Sequence, residues 1–588
     1  MDHPRRPERV GERLESMRKA IPSGSAGPDW FRKACFYQIY PRSFCDSNGD
    51  GIGDLPGIES KLDYLADLGV EALWLCPIYA SPNDDNGYDI SDYRAIHPDF
   101  GTMRDFDRLL EAMHSRGLKL IMDMVLNHSS DEHEWFRASR ASRGNEKRDW
   151  YVWAPPRQGA DSRPEPPNRW GSIFGGSAWA WDEATGEYYL HLFSPKQPDL
   201  NWEKAELRAA LYGEMRFWLE KGVDGFRLDV INLISKASGF PDEAPPPGSA
   251  YSSPMPFAAG GPRLEEFLKE MRAEVFEPYG AIAIGETPAV TVEAARRYTA
   301  PSSRELDMLF QFELMDIDGG PGGKWDFVNA APEVLERVMR RWQAGLGEVG
   351  WNSLYWSNHD QSRAISRFGD EAFREESGKA LAGFLYLQKG SPFIYQGEEI
   401  GMLNYPFQDV SELRDIESLN FLASARAGNG VWKGRSEADI WRALRAKGRD
   451  NARTPMQWDP GPFAGFSSRA SWISVHPRSA QINVGESIGR EGSLLEFYRS
   501  LIAFRGAESL VAEGDIEFIE SGVPALCGYR RFSSSGRELW VVTNLGSEEL
   551  ADPPSLPWPS PGTLALASYE GAPVAGRWRP WELRVWLR

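Results

Sequence analysis

Between Trp30 and about Gly506 the chain alternates short apolar runs with helix-patterned stretches, eight times over. The runs are ACFYQIYPRSF, EALWLCPIY, KLIMDMVLNH, GFRLDV, AIAIGE, LDMLFQFE, SLYWSNHD and SPFIYQGEE. Each is rich in β-branched or aromatic residues, as strands buried on both faces are. Helical patterns stand between them, for example Ile58–Leu68, Phe106–Arg116, Leu207–Lys221 and Leu264–Glu277. Gly69 and Gly117 follow two of these patterns, where a glycine ends a helix well. Alternation of this kind predicts βα units around a parallel sheet. Eight units predict a closed (β/α)8 TIM barrel.

Three acids stand at the carboxyl ends of such runs within longer motifs: Asp229 in GFRLDV, Glu286 in AIAIGE and Asp360 in SLYWSNHD. The carboxyl ends of barrel strands are where such a fold keeps its chemistry. Three carboxylates spaced by one or two βα units therefore predict convergence on one pocket, and glycosidic bonds are cleaved by carboxylate pairs.

Two long excursions interrupt the alternation. Residues 129–199, after the third strand, are rich in Trp, Gly and Pro with weak helical period, too long for an ordinary loop. They predict a small inserted domain. Residues 403–468 form a second excursion after the eighth strand. A Pro/Gly/Ser-rich stretch also follows the fourth strand. All three leave carboxyl ends of strands and are expected to overhang the active face. The domain reading is a polar N-terminal extension at 1–29, a barrel at 30–128 and 200–506, the insert at 129–199 and a C-terminal domain at 510–588. In the last, short alternating runs such as IEFIE, LWVVTNL and WELRVWLR predict an antiparallel β-sandwich.

Composition narrows the class. With 588 residues, 41% of them hydrophobic, the chain needs more than one core. A net charge of −19 argues against nucleic acid and anionic membranes and is compatible with a neutral substrate. No apolar stretch reaches the ~18–20 residues of a membrane span. The first 24 residues lack the apolar region of a secretory signal, so a cytoplasmic location is expected. Cys35, Cys45, Cys76 and Cys527 have neither disulfide-framework nor zinc-site spacing and are expected to be buried thiols.

The motifs DMVLNH, GFRLDV, IGET and SNHD, in that order, with DNGYDI before them and YQGEEIGM and RDNARTPMQW after, resemble the α-amylase superfamily, glycoside hydrolase family 13. The resemblance extends from Trp30 to the C-terminus and is greatest to the oligo-1,6-glucosidase, dextran glucosidase and α-glucosidase group. It implies that Asp229 is the nucleophile, Glu286 the general acid/base and Asp360 the acid that stabilises the distorted sugar. It implies that His128 and His359 hydrogen-bond glucose hydroxyls, and that Tyr88 is the aromatic platform under the first glucose. Asp85 and Arg453 resemble the pair that closes the pocket around a terminal glucose. Phe174 and Phe193 would wall the pocket from the insert, and core packing is the equal alternative for both. Lys324 and Glu417 resemble contacts to the second sugar. Arg227, two residues before Asp229 on the same strand face, is placed to keep the nucleophile ionised.

Val230, directly after the nucleophile, resembles the α-1,6-cleaving members, where α-1,4 enzymes carry threonine or alanine. A side chain branched at Cβ is stiff enough to block one approach of the next sugar.

The loop DSNGDGIGD places hard oxygens of Asp46, Asn48, Asp50 and Asp54 at alternate positions, with the Ile52 carbonyl beside them. It suits Ca2+, with Mg2+ as the alternative, in a structural role. It begins like an EF-hand loop but has Gly57 where the twelfth-position acid would stand. A metal-free Asx-turn loop is the competing reading. No organic cofactor is implied.

The expectation is a retaining, exo-acting α-glucosidase that releases α-1,6-linked glucose from small oligosaccharides and has some capacity for transglycosylation. The alternatives are an α-1,4-glucosidase, or a sucrose isomerase or trehalulose synthase on the same scaffold. A non-catalytic transporter-associated relative is disfavoured by the three intact acids and the lack of a span. The oligomeric state is not legible.

Overall fold

The computed structural model describes residues 29–158, 164–246, 249–347, 349–553 and 562–588. The N-terminal extension expected at 1–29 lies almost wholly outside them.

Eight parallel strands form the central sheet: β1 Phe36–Ile39, β2 Ala72–Leu75, β3 Lys119–Val125, β4 Gly225–Asp229, β5 Ile282–Glu286, β6 Met308–Phe310, β7 Ser353–Leu354 and β8 Ser391–Tyr395. Their order is β6-β5-β4-β3-β2-β1-β8-β7. A parallel bridge between Leu309 and Asn352 joins the two ends and closes the barrel. Apart from Lys119 the strands are buried along their whole length, which explains their continuous apolar sequence. At Gly225 a side chain would meet the Ile282 carbonyl at 2.5 Å, so only glycine lets β4 and β5 start side by side.

Helices return each strand to the next. One spans Met103–Ser115 and opens with a reciprocal Thr102–Asp105 capping box. Another, Ala205–Lys221, is closed by Gly222 in the left-handed conformation.

The seventh run differs from expectation. Only Ser353 and Leu354 pair as strand. Beyond them the Tyr355 hydroxyl donates to the Gln311 carbonyl (2.5 Å) and the Trp356 indole to the Leu381 carbonyl (2.9 Å). These side chains bury without a ladder partner for the backbone, and Asp360 stands in the following loop, its amide donating to Asn358 Oδ1.

Between β3 and β4 the insert builds a three-stranded antiparallel sheet of Trp153–Ala154, Glu187–Leu190 and Trp179–Asp182. Its small core contains Trp170, Trp179, Leu190 and Leu192, together with Val230 and Leu233 from the β4 loop. The insert thus packs directly on the residue after Asp229.

Towards the C-terminus a five-stranded antiparallel sheet runs in the order Asp515–Ile519, Leu526–Phe532, Glu538–Asn544, Leu583–Leu587, Thr563–Ala567. A ladder of Leu550–Ala551 with Arg577–Trp578 packs on it through Leu526, Val542 and Trp586. The Tyr529 hydroxyl and Arg531 guanidinium donate to the Phe384 and Leu387 carbonyls, tying this sheet to the barrel. All four cysteines are free and buried. No helix among the described residues is long and apolar enough to cross a membrane.

Candidate active site

Asp229 and Glu286 are the last residues of β4 and β5, which lie side by side in the barrel. Arg227 rises from β4 between them. Its Nη1 is 2.7 Å from Asp229 Oδ1 and its Nη2 2.5 Å from Glu286 Oε1. One planar guanidinium therefore holds both carboxylates on its two prongs. Nη1 also donates to Asp123 of β3 at 2.7 Å. The Glu286 carboxyl is fixed a second time, by the Val230 amide donating to Oε2 at 3.0 Å. That amide points inward because Val230 is left-handed, with φ 36° and ψ 41°. A residue branched at Cβ pays steric energy there, on the order of 1–3 kcal/mol.

Burial pushes Asp229 and Glu286 each up to about 7, with Arg227 opposing the rise. Two acids sharing one cation in a dry site titrate as a unit and hold a proton between them near neutrality. Asp360 behaves oppositely. Burial would raise it, but the His359 ring N–H facing it and the Arg449 and Arg453 cations outweigh burial and hold it well below the usual carboxylate range.

The expected site residues come together, with one exchange of partners. Asp85 pairs with Arg449, not Arg453: Arg449 Nη2 is 2.8 Å from Asp85 Oδ1. Arg453 lies 2.9 Å from Asp360 and 2.5 Å from Asp415. The reason is helical spacing. The two arginines stand four residues apart at either end of the turn Asp450–Arg453, so they share a face about 6 Å apart along the axis. The first reaches Asp85 at 2.8 Å and also Asp360 at 3.3 Å, and the second reaches Asp360 at 2.9 Å. Asp415, buried and 2.9 Å from Arg449, sits between them. The result is an alternating chain: Asp85, Arg449, Asp415, Arg453, Asp360.

His359 is fully buried, and its Nδ1 takes a hydrogen bond from Gln38 Nε2 at 2.8 Å. That contact leaves the ring proton on Nε2, which makes no hydrogen bond and faces Asp360 Oδ2 at 3.6 Å. Burial lowers His359 to about 3 and His128 to about 4, so both are neutral. Tyr88 stacks on His359 at 5.1 Å and anchors its hydroxyl to Asp123. Phe174 carries the Arg449 guanidinium 4.9 Å over its ring and packs edge-on against Phe193, which in turn meets His128. Phe193 also packs against the insert's core, so its contacts serve core packing as well as the side facing His128. Lys324 and Glu417 form an ion pair of 2.6 Å, with Arg449 3.5 Å from the same glutamate.

Four residues of the cluster were not singled out from sequence: Asp123, Gln197, Asp415 and Arg449. Gln197 donates to Asp85 Oδ2 (3.1 Å) and lies 3.2 Å from His128 Nε2. Arg449 had a signal, its four-residue spacing from Arg453. Asp123 had one too, as an acid inside the apolar run of β3.

The loop at 46–54 lies apart from these acids. Asp46 accepts the amides of Asn48, Gly49 and Gly51 and the Ser467 hydroxyl. Asn48 and Asp50 each accept the amide two residues on, and Asp54 caps the helix that starts at Leu55. Among the described residues no three Asp, Glu, His or Cys side chains converge to chelate an ion by themselves. The donors are nonetheless all hard oxygens, which fit a Ca2+ held jointly by carboxylate, amide and backbone oxygens.

Comparison with known proteins places the chain. Residues 38–514 match the α-amylase catalytic-domain family. An oligo-1,6-glucosidase from Halalkalibacterium halodurans is 48% identical over 95% of this chain and 99% of its own. Among solved structures, a trehalose-6-phosphate hydrolase from Bacillus licheniformis superposes with TM-score 0.88 at 40% identity, covering 95% of this chain and 99% of its own. A trehalulose synthase superposes with TM-score 0.87 at 40% identity, covering 95% and 100%. With its closed barrel, its carboxylates at the ends of β4 and β5 and a family match over most of its length, the chain is a glycoside hydrolase and belongs to the α-amylase family.

Proposed function

We infer that this enzyme is a retaining, exo-acting α-glucosidase that removes terminal α-1,6-linked glucose from isomalto-oligosaccharides. The observation that carries this reading is Arg227 holding Asp229 and Glu286 on one guanidinium. Sharing one fork confines the two carboxyls to roughly the 5 Å that double displacement requires.

Asp229 attacks the anomeric carbon while Glu286 delivers its proton to the glycosidic oxygen, and the aglycone leaves. Glu286, now ionised, takes a proton from water, which attacks the glucosyl–Asp229 ester and restores both groups. Asp229 must be ionised and Glu286 protonated at the start. Their shared proton near neutrality supports that state. Asp360, His128 and His359 grip sugar hydroxyls, and Tyr88 offers an apolar face to the ring. Asp85, Gln197 and Arg449 close the far end, which supports removal of one terminal glucose over cleavage within a chain.

The α-1,6 preference is supported by Val230 and by the 48%-identical oligo-1,6-glucosidase. The isomerase alternative is favoured by the likeness to a trehalulose synthase, since water and sugar acceptors compete for the same ester. Product analysis on isomaltose, panose, maltose, sucrose and trehalose tests the reading. Faster glucose release from maltose than from isomaltose would overturn the linkage assignment, and sucrose isomerised faster than hydrolysed would favour the synthase. The loop at 46–54 is proposed to bind Ca2+ in a structural role, and the chain is proposed to work in the cytoplasm.

A further inference from the structure

We propose that Arg363 is a positioning residue for the glucose grip, acting through Arg449 and Arg453. It stands three residues beyond Asp360, in the loop after β7, and is 2% exposed. Among the described residues it forms no ion pair; its guanidinium faces mainly backbone oxygens. Nε donates to the Asn451 carbonyl (3.2 Å) and Nη1 to the Gln396 carbonyl (2.6 Å). Nη2 donates to the Ala452 carbonyl (3.1 Å) and to both the carbonyl and hydroxyl of Thr454 (3.3 Å each). The Tyr395 ring lies 5.2 Å from the guanidinium carbon.

A buried cation without a counterion is costly unless every N–H is matched. What it matches here is informative. Asn451, Ala452 and Thr454 flank Arg453 and follow Arg449, the two side chains that reach Asp360 and Asp85. Arg363 itself springs from the loop that carries Asp360, and Gln396 is the first residue after β8. One side chain thus ties the third carboxylate's loop to the backbone bearing both arginines. Catalytic constellations lose function on displacements of about 1 Å, and a lysine, with three donors on a single nitrogen, cannot span the same set of oxygens.

The proposal rests on the reading that Asp85 and Asp360 grip a terminal glucose. Its test compares the wild type, R363K, D85N and the double variant by isomaltose kinetics and by calorimetric titration with glucose. R363K is expected to raise KM and the glucose Kd about tenfold while kcat changes less than about threefold, the pattern of lost ground-state binding. In the D85N background the same change should alter the Kd by less than about twofold, because coupled residues are not additive. A tenfold loss in both backgrounds, or none in either, would overturn the proposal. T454A removes a single acceptor should R363K fold poorly; it should weaken glucose binding about two- to threefold, by loss of one hydrogen bond, and unaltered binding would count against the idea. Because glucose binding needs no turnover, an error in the assigned linkage would show in the isomaltose kinetics alone.

Discussion

The Val230 amide donates to Glu286 Oε2 from a left-handed backbone, while its side chain packs in the core of the inserted segment. Val230 therefore touches both Glu286 and the inserted segment. Replacing Val230 with threonine keeps the branch at Cβ and the amide but puts a hydroxyl against an apolar neighbour. V230T is expected to lower the isomaltose-to-maltose ratio of kcat/KM by about tenfold, the scale of small pocket changes, with total activity on aryl α-glucosides retained. An unchanged ratio in parallel assays would remove Val230 from the linkage argument.

Asp229 and Glu286 should separate by leaving group. D229A is expected to abolish glucose release. E286Q is expected to cut kcat on isomaltose by about 10³-fold, near the usual range for lost proton transfer. On an aryl glucoside whose phenol needs no proton, its glycosylation step should fall far less. Pre-steady-state measurement of phenol release reads that step directly; equal losses on both substrates would contradict the assignment.

The two arginines should have different kinetic signatures. R449A leaves Asp85 without its arginine and Asp415 with Arg453 alone, and should raise KM about 100-fold or more, consistent with the 3–5 kcal/mol for breaking a buried pair. R453A leaves Asp360 with the longer 3.3 Å contact from Arg449 and should act mainly on kcat. Exchanged signatures in steady-state kinetics would restore the pairing of Asp85 with Arg453.

Stability should depend on pH through the same acids. Glu286 has a folded value of about 7, above the ordinary 4.5, so the folded state binds its proton more tightly. Its contribution is present below pH 4.5 and is lost as pH rises towards 7. E286Q should therefore raise Tm at pH 8 by a few degrees, at roughly 1 °C per kcal/mol for a chain of this length, and leave it nearly unchanged at pH 4. Asp360 has the opposite sign: its depressed value stabilises the fold above its unfolded value and the benefit fades as pH falls. Calorimetric scans across this range check both signs.

Removing divalent ions with a chelator should lower Tm if the loop at 46–54 binds Ca2+, since a ligand bound only by the folded state stabilises by mass action. D50A should abolish the chelator effect, because Asp50 is an exposed member of the loop whose only recorded hydrogen bonds are local. A Tm indifferent to chelator in the wild type would leave an ordinary Asx-turn loop.

The barrel was readable because its strands are buried on both faces and its helices carry caps and stops. Asp229 and Glu286 were readable as acids ending apolar runs. The strand through SNHD was not, since Tyr355 and Trp356 have strand-like residue types but find hydrogen bonds through their side chains instead. The partner of Asp85 was misassigned between two arginines in one motif. Four residues of helical spacing put both on the correct face, and only the position of Asp85, about 360 residues earlier, selects the first. Gln197 and Asp415 gave no local sign, because their role exists only once distant loops meet.

On the proposed reading, in which Asp85, Gln197 and Arg449 close one end of the site, that closure would govern the order of events as well as the choice of bond. A chamber with one doorway cannot be threaded. The shortened oligosaccharide must back out before water can reach the ester, and the freed glucose leaves last by the same route. Each visit would therefore trim a single unit, and the enzyme would let go of its polymer between cuts. A mixture of long chains would shorten in step instead of being consumed one molecule at a time.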